Sequence, residues 1–294
     1  MSYMERHPMI MIVIGVLGIS LSAIFVKYSA APSAVTAAFR LSWTVILMSP
    51  VVWAKREIRE ELLHIEKKQL LISVLSGIFL AIHFVLWFES LQHTSVASST
   101  SIVCTEVIWV ALGYCLFLKG SLSKKAVLAI IVTFAGSVAI ACADSSSGAV
   151  HVYGDILALV SAVAVAVYTL FGRIVRNSVS TSVYTYVVYV SCAAVLLATC
   201  MVQSYPLFGY GISAVVVGLL LSVFSTILGH SIFSWCLKYF SPAFVSASKL
   251  CEPVVASIIA VFLFSELPSL LQVFGGDMII GGVYYYSRIE KAGS

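Results

Sequence analysis

LQHTSVASSTSIVCTE (residues 91–106) and LKYFSPAFVSASKLCE (residues 237–252) decide how this chain is organised. At an offset of 146 residues Leu91 falls on Leu237, Ser95 on Ser241, Ala97 on Ala243 and Glu106 on Glu252. The register holds without a gap as far as Gly136, which falls on Gly282. Such self-similarity marks an internal repeat. Each stretch ends on a carboxylate within an apolar run. A charge inside hydrocarbon faces a cavity or a partner.

The sequence around these stretches is as apolar as that reading requires. Of 294 residues 61% are hydrophobic and 10% charged, and the mean hydropathy is +1.05. A soluble domain carries about 25% charged residues, so lipid is the solvent here. The net charge of +4 is small, which excludes a nucleic-acid partner with its need for a clustered basic face. The seven cysteines, Cys104, Cys115, Cys142, Cys192, Cys200, Cys236 and Cys251, sit in apolar runs without the spacing of a zinc site.

Backbone in lipid must satisfy its own hydrogen bonds, so membrane spans are helices or closed barrels. Long unalternating apolar runs exclude a barrel. Windows of about 19 residues predict an all-α, polytopic membrane protein of ten transmembrane helices. They cover residues 9–28, 33–53, 70–91, 95–118, 125–142, 153–174, 181–202, 211–238, 242–264 and 269–287. Pro32, Pro206, Pro242 and Pro268 fall at the joints, where a missing N–H is tolerated. The first run, with Arg6 before it and Ser20 to Ala23 as a small-residue site, has the outline of a signal peptide. We read it as a helix, because it is long enough to span and the repeat needs it.

Lys and Arg set the orientation. With the N-terminus cytoplasmic, the inner segments hold Arg6, then Lys55, Arg56, Arg59, Lys67 and Lys68, then Lys119, Lys124 and Lys125, then Arg173 and Arg176, then Lys238, Arg288 and Lys291. The outer segments hold at most Lys27, and Arg40 and Lys249 lie within helices. The expectation is a multi-pass protein of the cell membrane with both termini cytoplasmic. The unit is five helices, residues 1–145 and 146–294. Five is odd, so the second unit crosses in the opposite sense. Inverted repeats give secondary transporters two mirror packings and hence alternating access. Two units in one chain make a monomer sufficient, and a dimer is compatible.

Leu228-Gly229-His230-Ser231, Leu237 to Ala243, Glu252-Pro253 and Phe264-Ser265-Glu266 resemble the drug/metabolite transporter superfamily, EamA type. The first repeat carries a degenerate copy: Leu91 to Ala97, Glu106 and Leu118-Lys119-Gly120. Arg40 followed by Trp43 also looks like that family. The resemblance covers nearly the whole chain and implies a central cavity between the repeats, alternating access, and no ATP or other cofactor. It does not fix the substrate: relatives export amino acids, carry nucleotide sugars, import choline-like solutes or exchange metabolites. The sequence departs from the pattern at Glu106, at Lys119-Gly120, and at Lys249 and Asp277, where neutral residues are usual.

The candidates for substrate binding or coupling are the intramembrane charges with their polar and aromatic neighbours. Lys249 and Glu252, three apart, share a helix face. They read either as a substrate- or proton-binding carboxylate with a cationic neighbour, or as a structural ion pair. Glu106, as the repeat mate of Glu252, brings a second carboxylate near the midplane, and protons become a candidate coupling ion. Arg40 reads as a clamp for a carboxylate or phosphate, or as a neutraliser of Glu89 or Glu106. Asp277 lies among Gly275, Gly276, Gly281 and Gly282, a seam suited to close packing. His83 and Trp87 share a face of the third helix, and His230 lies beside the position symmetric to His83. A histidine there is a proton relay or a packing residue. Trp43 is one of several aromatics suited to a cation box or to the core. Ser98 to Ser101 read as cavity lining or as backbone-satisfying hydroxyls.

Both signs of charge within the membrane suit a small zwitterion such as an amino acid, moved outward, with organic cations or metabolite exchange as alternatives. No HExxH or GxSxG motif supports an intramembrane enzyme. The short loops leave a sensor without an interaction domain, and counterflow would separate a carrier from a channel. The partners expected are the small solute and the lipid bilayer.

Overall fold

The computed structural model describes residues 7–94, 96–144, 152–252, 254–255, 258–259 and 269–293, and all regular structure among them is helical. Pro8 opens α1 (Pro8–Ser20) from the first helical turn, and a turn at Leu21 leads to α2 (Ser22–Lys27). Pro32, with φ −52° and ψ 154°, sets the start of α3 (Ser33–Ala54). The long connection that follows is not bare loop. It contains α4 (Arg56–Leu63), an amphipathic helix whose Ile58 and Leu62 pack onto the core. Then come α5 (Lys67–His93), α6 (Val96–Val103), α7 (Glu106–Phe117) and α8 (Lys124–Asp144).

The later half holds α9 (Val152–Val175), α10 (Thr181–Val202) and α11 (Gly211–Leu220). A π-helical segment (Leu221–Ser231) leads into α12 (Ile232–Cys236), and α13 (Pro242–Lys249) and α14 (Leu270–Gly293) follow. The N-terminus of α10 is closed by Ser180, whose Oγ accepts from Val183 N–H while its own N–H donates to Glu61 of α4 at 2.6 Å. Ser241 caps α13 the same way, accepting from Phe244 N–H while Glu290 of α14 takes its N–H. Hydroxyl caps of this kind satisfy donors that a helix start leaves free.

Six helical spans among the described residues are long and apolar enough to cross a membrane: 8–26, 33–54, 67–93, 152–175, 181–202 and 211–236. The protein is therefore an all-helical, multi-pass membrane protein. Residues 260–268, which carry the last five residues of the expected ninth helix, Glu266 and Pro268, lie outside the described residues, as do Arg6, Ser95 and Pro253. So do the side chains of Lys27, Ser98, Ser101 and Lys291.

Besides the first helix, which turns at Leu21, three more helices expected to be continuous are interrupted. The expected helix over 95–118 breaks at Cys104 and Thr105, and that over 242–264 breaks at Leu250 and Cys251. At both breaks the helical ladder gives way to a tighter bond at equivalent positions. Thr105 N–H donates to Ile102 at 3.0 Å, and Cys251 N–H donates to Ser248 at 3.2 Å. The helix then resumes at Glu106 and at Glu252. The third, over 211–238, widens into the π segment. There the hydroxyls of Thr226 and Ser231 bond carbonyls five residues back, at Leu221 and Thr226. Such side-chain competition with the backbone is invisible to a hydropathy window.

Two hydrophobic cores form, and neither belongs to one half of the sequence. The first joins α3 and α5 with α9 and α10 through Leu41, Phe84, Val165, Tyr184, Tyr189 and Leu196. The second joins α1, α7 and α8 with α12, α13 and α14 through Val16, Val107, Ile130, Phe233, Phe244 and Ile279. Gly18 of α1 lies against the π segment so closely that a Cβ there would sit 2.7 Å from the Phe224 carbonyl oxygen. Gly18→Leu should lower the melting temperature of the detergent-purified protein, an overpacking cost of roughly 1–3 kcal/mol. Ile10→Leu, at a half-exposed position of the same helix, should leave it unchanged. Equal melting of the two variants would contradict the close approach.

Candidate functional site

A cavity of about 70 Å³ lies among residues of both cores. That is room for several waters. Its walls come from α1 to α3, from α5 to α7, and from α9, the π segment, α12 and α13, including the break before Glu106 and the break before Glu252. Of the nine candidates from the sequence, seven line it: Arg40, His83, Trp87, Glu106, His230, Lys249 and Glu252. Trp43 is half-buried on α3 and Asp277 is exposed on α14, and neither is among the lining residues. Glu89 is also away from it, exposed beside His93 at 3.2 Å.

The four lining charges divide into one pair and two singles. Lys249 Nζ lies 2.8 Å from Glu106 Oε1. The same oxygen accepts from Ser246 Oγ at 2.9 Å and Thr169 Oγ1 at 3.2 Å. A pair held by two further donors is the geometry that makes burial of two charges tolerable. Arg40 is 1% exposed. Its Nε donates to Thr226 Oγ1 at 2.8 Å and its Nη1 reaches Ser22 Oγ at 3.4 Å. Its guanidinium also lies 4.3 Å from the centre of the Phe84 ring. These partners are neutral. Among the described residues no carboxylate lies within ion-pair distance of Arg40, and no cation within that distance of Glu252.

The remaining lining groups hold position rather than charge. His83 Nδ1 is 2.9 Å from Ser161 Oγ, and its ring stacks on Trp87. The indole N–H of Trp87 is buried without a hydrogen-bond partner among the described residues. His230 sits edge-on to Phe84. Thr100, from the hydroxyl run opening the fourth expected helix, faces the cavity, whereas Ser99 bonds Ser90. Tyr168, Tyr184 and Tyr189 are core residues whose hydroxyls bond Ser234, Ser76 and Ser231.

Sequence reasoning missed the hydroxyls that build the site: Thr169 and Ser246 on Glu106, and Ser22 and Thr226 on Arg40. Ser246 had a local signal, lying three residues before Lys249. Thr169, Ser22 and Thr226 had none, because only the packing of distant helices joins them to their charges.

The family pattern described as EamA-like transporter family matches the chain twice, over residues 7–142 and 152–288. The chain belongs to the EamA-like transporter family. Its curated relatives include an uncharacterized transporter of Archaeoglobus fulgidus, 27% identical over 68% of this chain and 72% of that one. Another is the uncharacterized transporter YxxF of Bacillus subtilis, 26% identical over 74% and 70%. A solved crystal structure shares the fold over 98% of both chains with a TM-score of 0.80 at 17% identity. This EamA-like protein is thus a transporter of the drug/metabolite superfamily by kinship.

Thr226→Val should leave an Arg40 N–H without its acceptor and cost about 1–3 kcal/mol, read as a lower melting temperature. Thr226→Ser should retain the wild-type value. Equal loss in both variants would contradict the hydroxyl's role.

Proposed function

We propose that this protein is a secondary active transporter that moves a small zwitterionic metabolite, such as an amino acid, across the cell membrane by alternating access. One observation carries the reading. Once Lys249 and Glu106 satisfy each other, the cavity keeps one guanidinium and one carboxylate with no protein counter-charge within ion-pair distance among the described residues. A buried charge without a partner is costly. A solute bearing both a carboxylate and an ammonium would supply what each lacks. Arg40 offers planar donors suited to a carboxylate, and Glu252 accepts from an ammonium. An organic cation would satisfy Glu252 and leave Arg40 unmet, which makes it the poorer fit.

The path runs between two five-helix units, residues 1–145 and 146–294, that cross in opposite senses to give ten crossings with both termini cytoplasmic. The broken helices before Glu106 and Glu252 fit this reading, because discontinuous helices build midplane sites in inverted-repeat carriers. A single chain suffices, and no enzymatic step is needed. Net movement is outward, in exchange for protons taken up by the paired glutamates.

Proteoliposomes preloaded with pooled solutes test this by counterflow. Saturable accumulation is expected with the amino-acid pool and not with sugar phosphates or nucleosides. Arg40→Met and Glu252→Gln should each lower it roughly tenfold or more, the loss expected when one partner of a charged contact is removed. Undiminished counterflow in both variants would contradict the assignment. Transport driven by a pH gradient should vanish when Glu106 and Glu252 are both changed to Gln, and its persistence would remove protons as the coupling ion.

A further inference from the structure

We propose that the Glu106–Lys249 pair sets the net charge the cavity accepts, making both residues determinants of specificity. The inference rests on the transporter reading above. Lys249 bonds Glu106 across the cavity, although Glu252 lies three residues along its own chain. Glu106 Oε1 collects three donors, from Lys249, Ser246 and Thr169. The Phe233 ring centre lies 5.6 Å from the ammonium. Hydroxyls and ring together hold the pair as a unit.

Stability alone does not call for that unit. A buried ion pair is commonly replaced by apolar side chains of similar volume at no loss. The repeat supplies the comparison within the chain itself. At the 146-residue offset the position matching Lys249 is Val103, which lines the same cavity. A lysine thus stands at one of two matching places and a valine at the other, while the carboxylates stand at both. What the lysine adds is cancellation of one carboxylate. With it, the cavity is left with Arg40 and Glu252, one charge of each sign. Without Glu106, two cations would face one anion. Without Lys249, two anions would face one cation. In a cavity buried among apolar helices such an imbalance selects a solute of opposite net charge, because an uncompensated charge penalises the wrong partner.

The test uses solutes matched in size and differing in charge: alanine, lactate and isopropylamine, and the larger set leucine, 2-hydroxyisocaproate and 3-methylbutylamine. Binding is read as thermal stabilisation of the detergent-purified full chain, which avoids leakage of amines and acids through bilayers. The wild type should bind the amino acid of a set best. Glu106→Gln should shift the ratio of half-saturating concentrations roughly tenfold or more toward the hydroxy acid, and Lys249→Met toward the amine. The double variant should return to the amino acid. Single variants that keep the wild-type order, that shift in the same sense, or that bind nothing while the double variant binds would overturn the proposal. A wild type that prefers another charge class would end the zwitterion reading, while opposite shifts would still uphold this one. No binding by any of the four proteins would overturn both.

Discussion

The whole arrangement depends on how charge is held inside hydrocarbon. Four ionisable side chains line one cavity in a chain with only 10% charged residues. Each costs a few kcal/mol to place there on insertion scales. Two are answered within the protein, Lys249 by Glu106, with Thr169 and Ser246 completing the carboxylate's shell. Arg40 is positioned by hydroxyls and an aromatic face, none of which neutralises it. Two cores that each mix the halves of the sequence surround these groups.

The breaks in the helices follow from the same constraint. A helix that passed straight through would satisfy its backbone and offer the cavity only side chains. At 104–105 and 250–251 the ladder tightens, and each helix restarts at a glutamate. Val107 and Ile108 N–H bond Cys104 and Thr105 across the first break, so the Glu106 carboxylate is held by Lys249 and two hydroxyls rather than by free backbone donors. The π segment serves Arg40 in turn, since its Thr226 both bonds Leu221 and receives the guanidinium Nε.

Much of this was legible in the sequence, and the parts that were not share a cause. Composition alone gave a multi-pass helical protein, because lipid tolerates so few charges. The 146-residue register links Glu106 to Glu252 within the sequence itself, and the structure interrupts both helices at equivalent points beside them. Asp277 and Trp43 show the limit of such reading. An intramembrane charge or tryptophan is recognisable in sequence, but which way its helix turns it depends on packing. Thr226, Thr169 and Ser22 were hidden because a hydroxyl in an apolar run is usually absorbed by its own backbone, as Ser191 and Thr199 are here. Only long-range contacts, such as the one between residues 40 and 226, single out the few that serve a charge.

The central claim is that the solute occupies the space between Arg40 and Glu252. Cys104, which lines that cavity, reports on it directly. In a variant whose Cys115, Cys142 and half-buried Cys251 are replaced by serine, the rate at which a small thiol reagent labels Cys104 is measured with and without an amino-acid solute. The account predicts that a solute which gives counterflow slows labelling in a saturable way, with half-protection near its half-saturating concentration for transport. Labelling at an unchanged rate in the presence of a transported solute would place the binding site elsewhere and contradict the account.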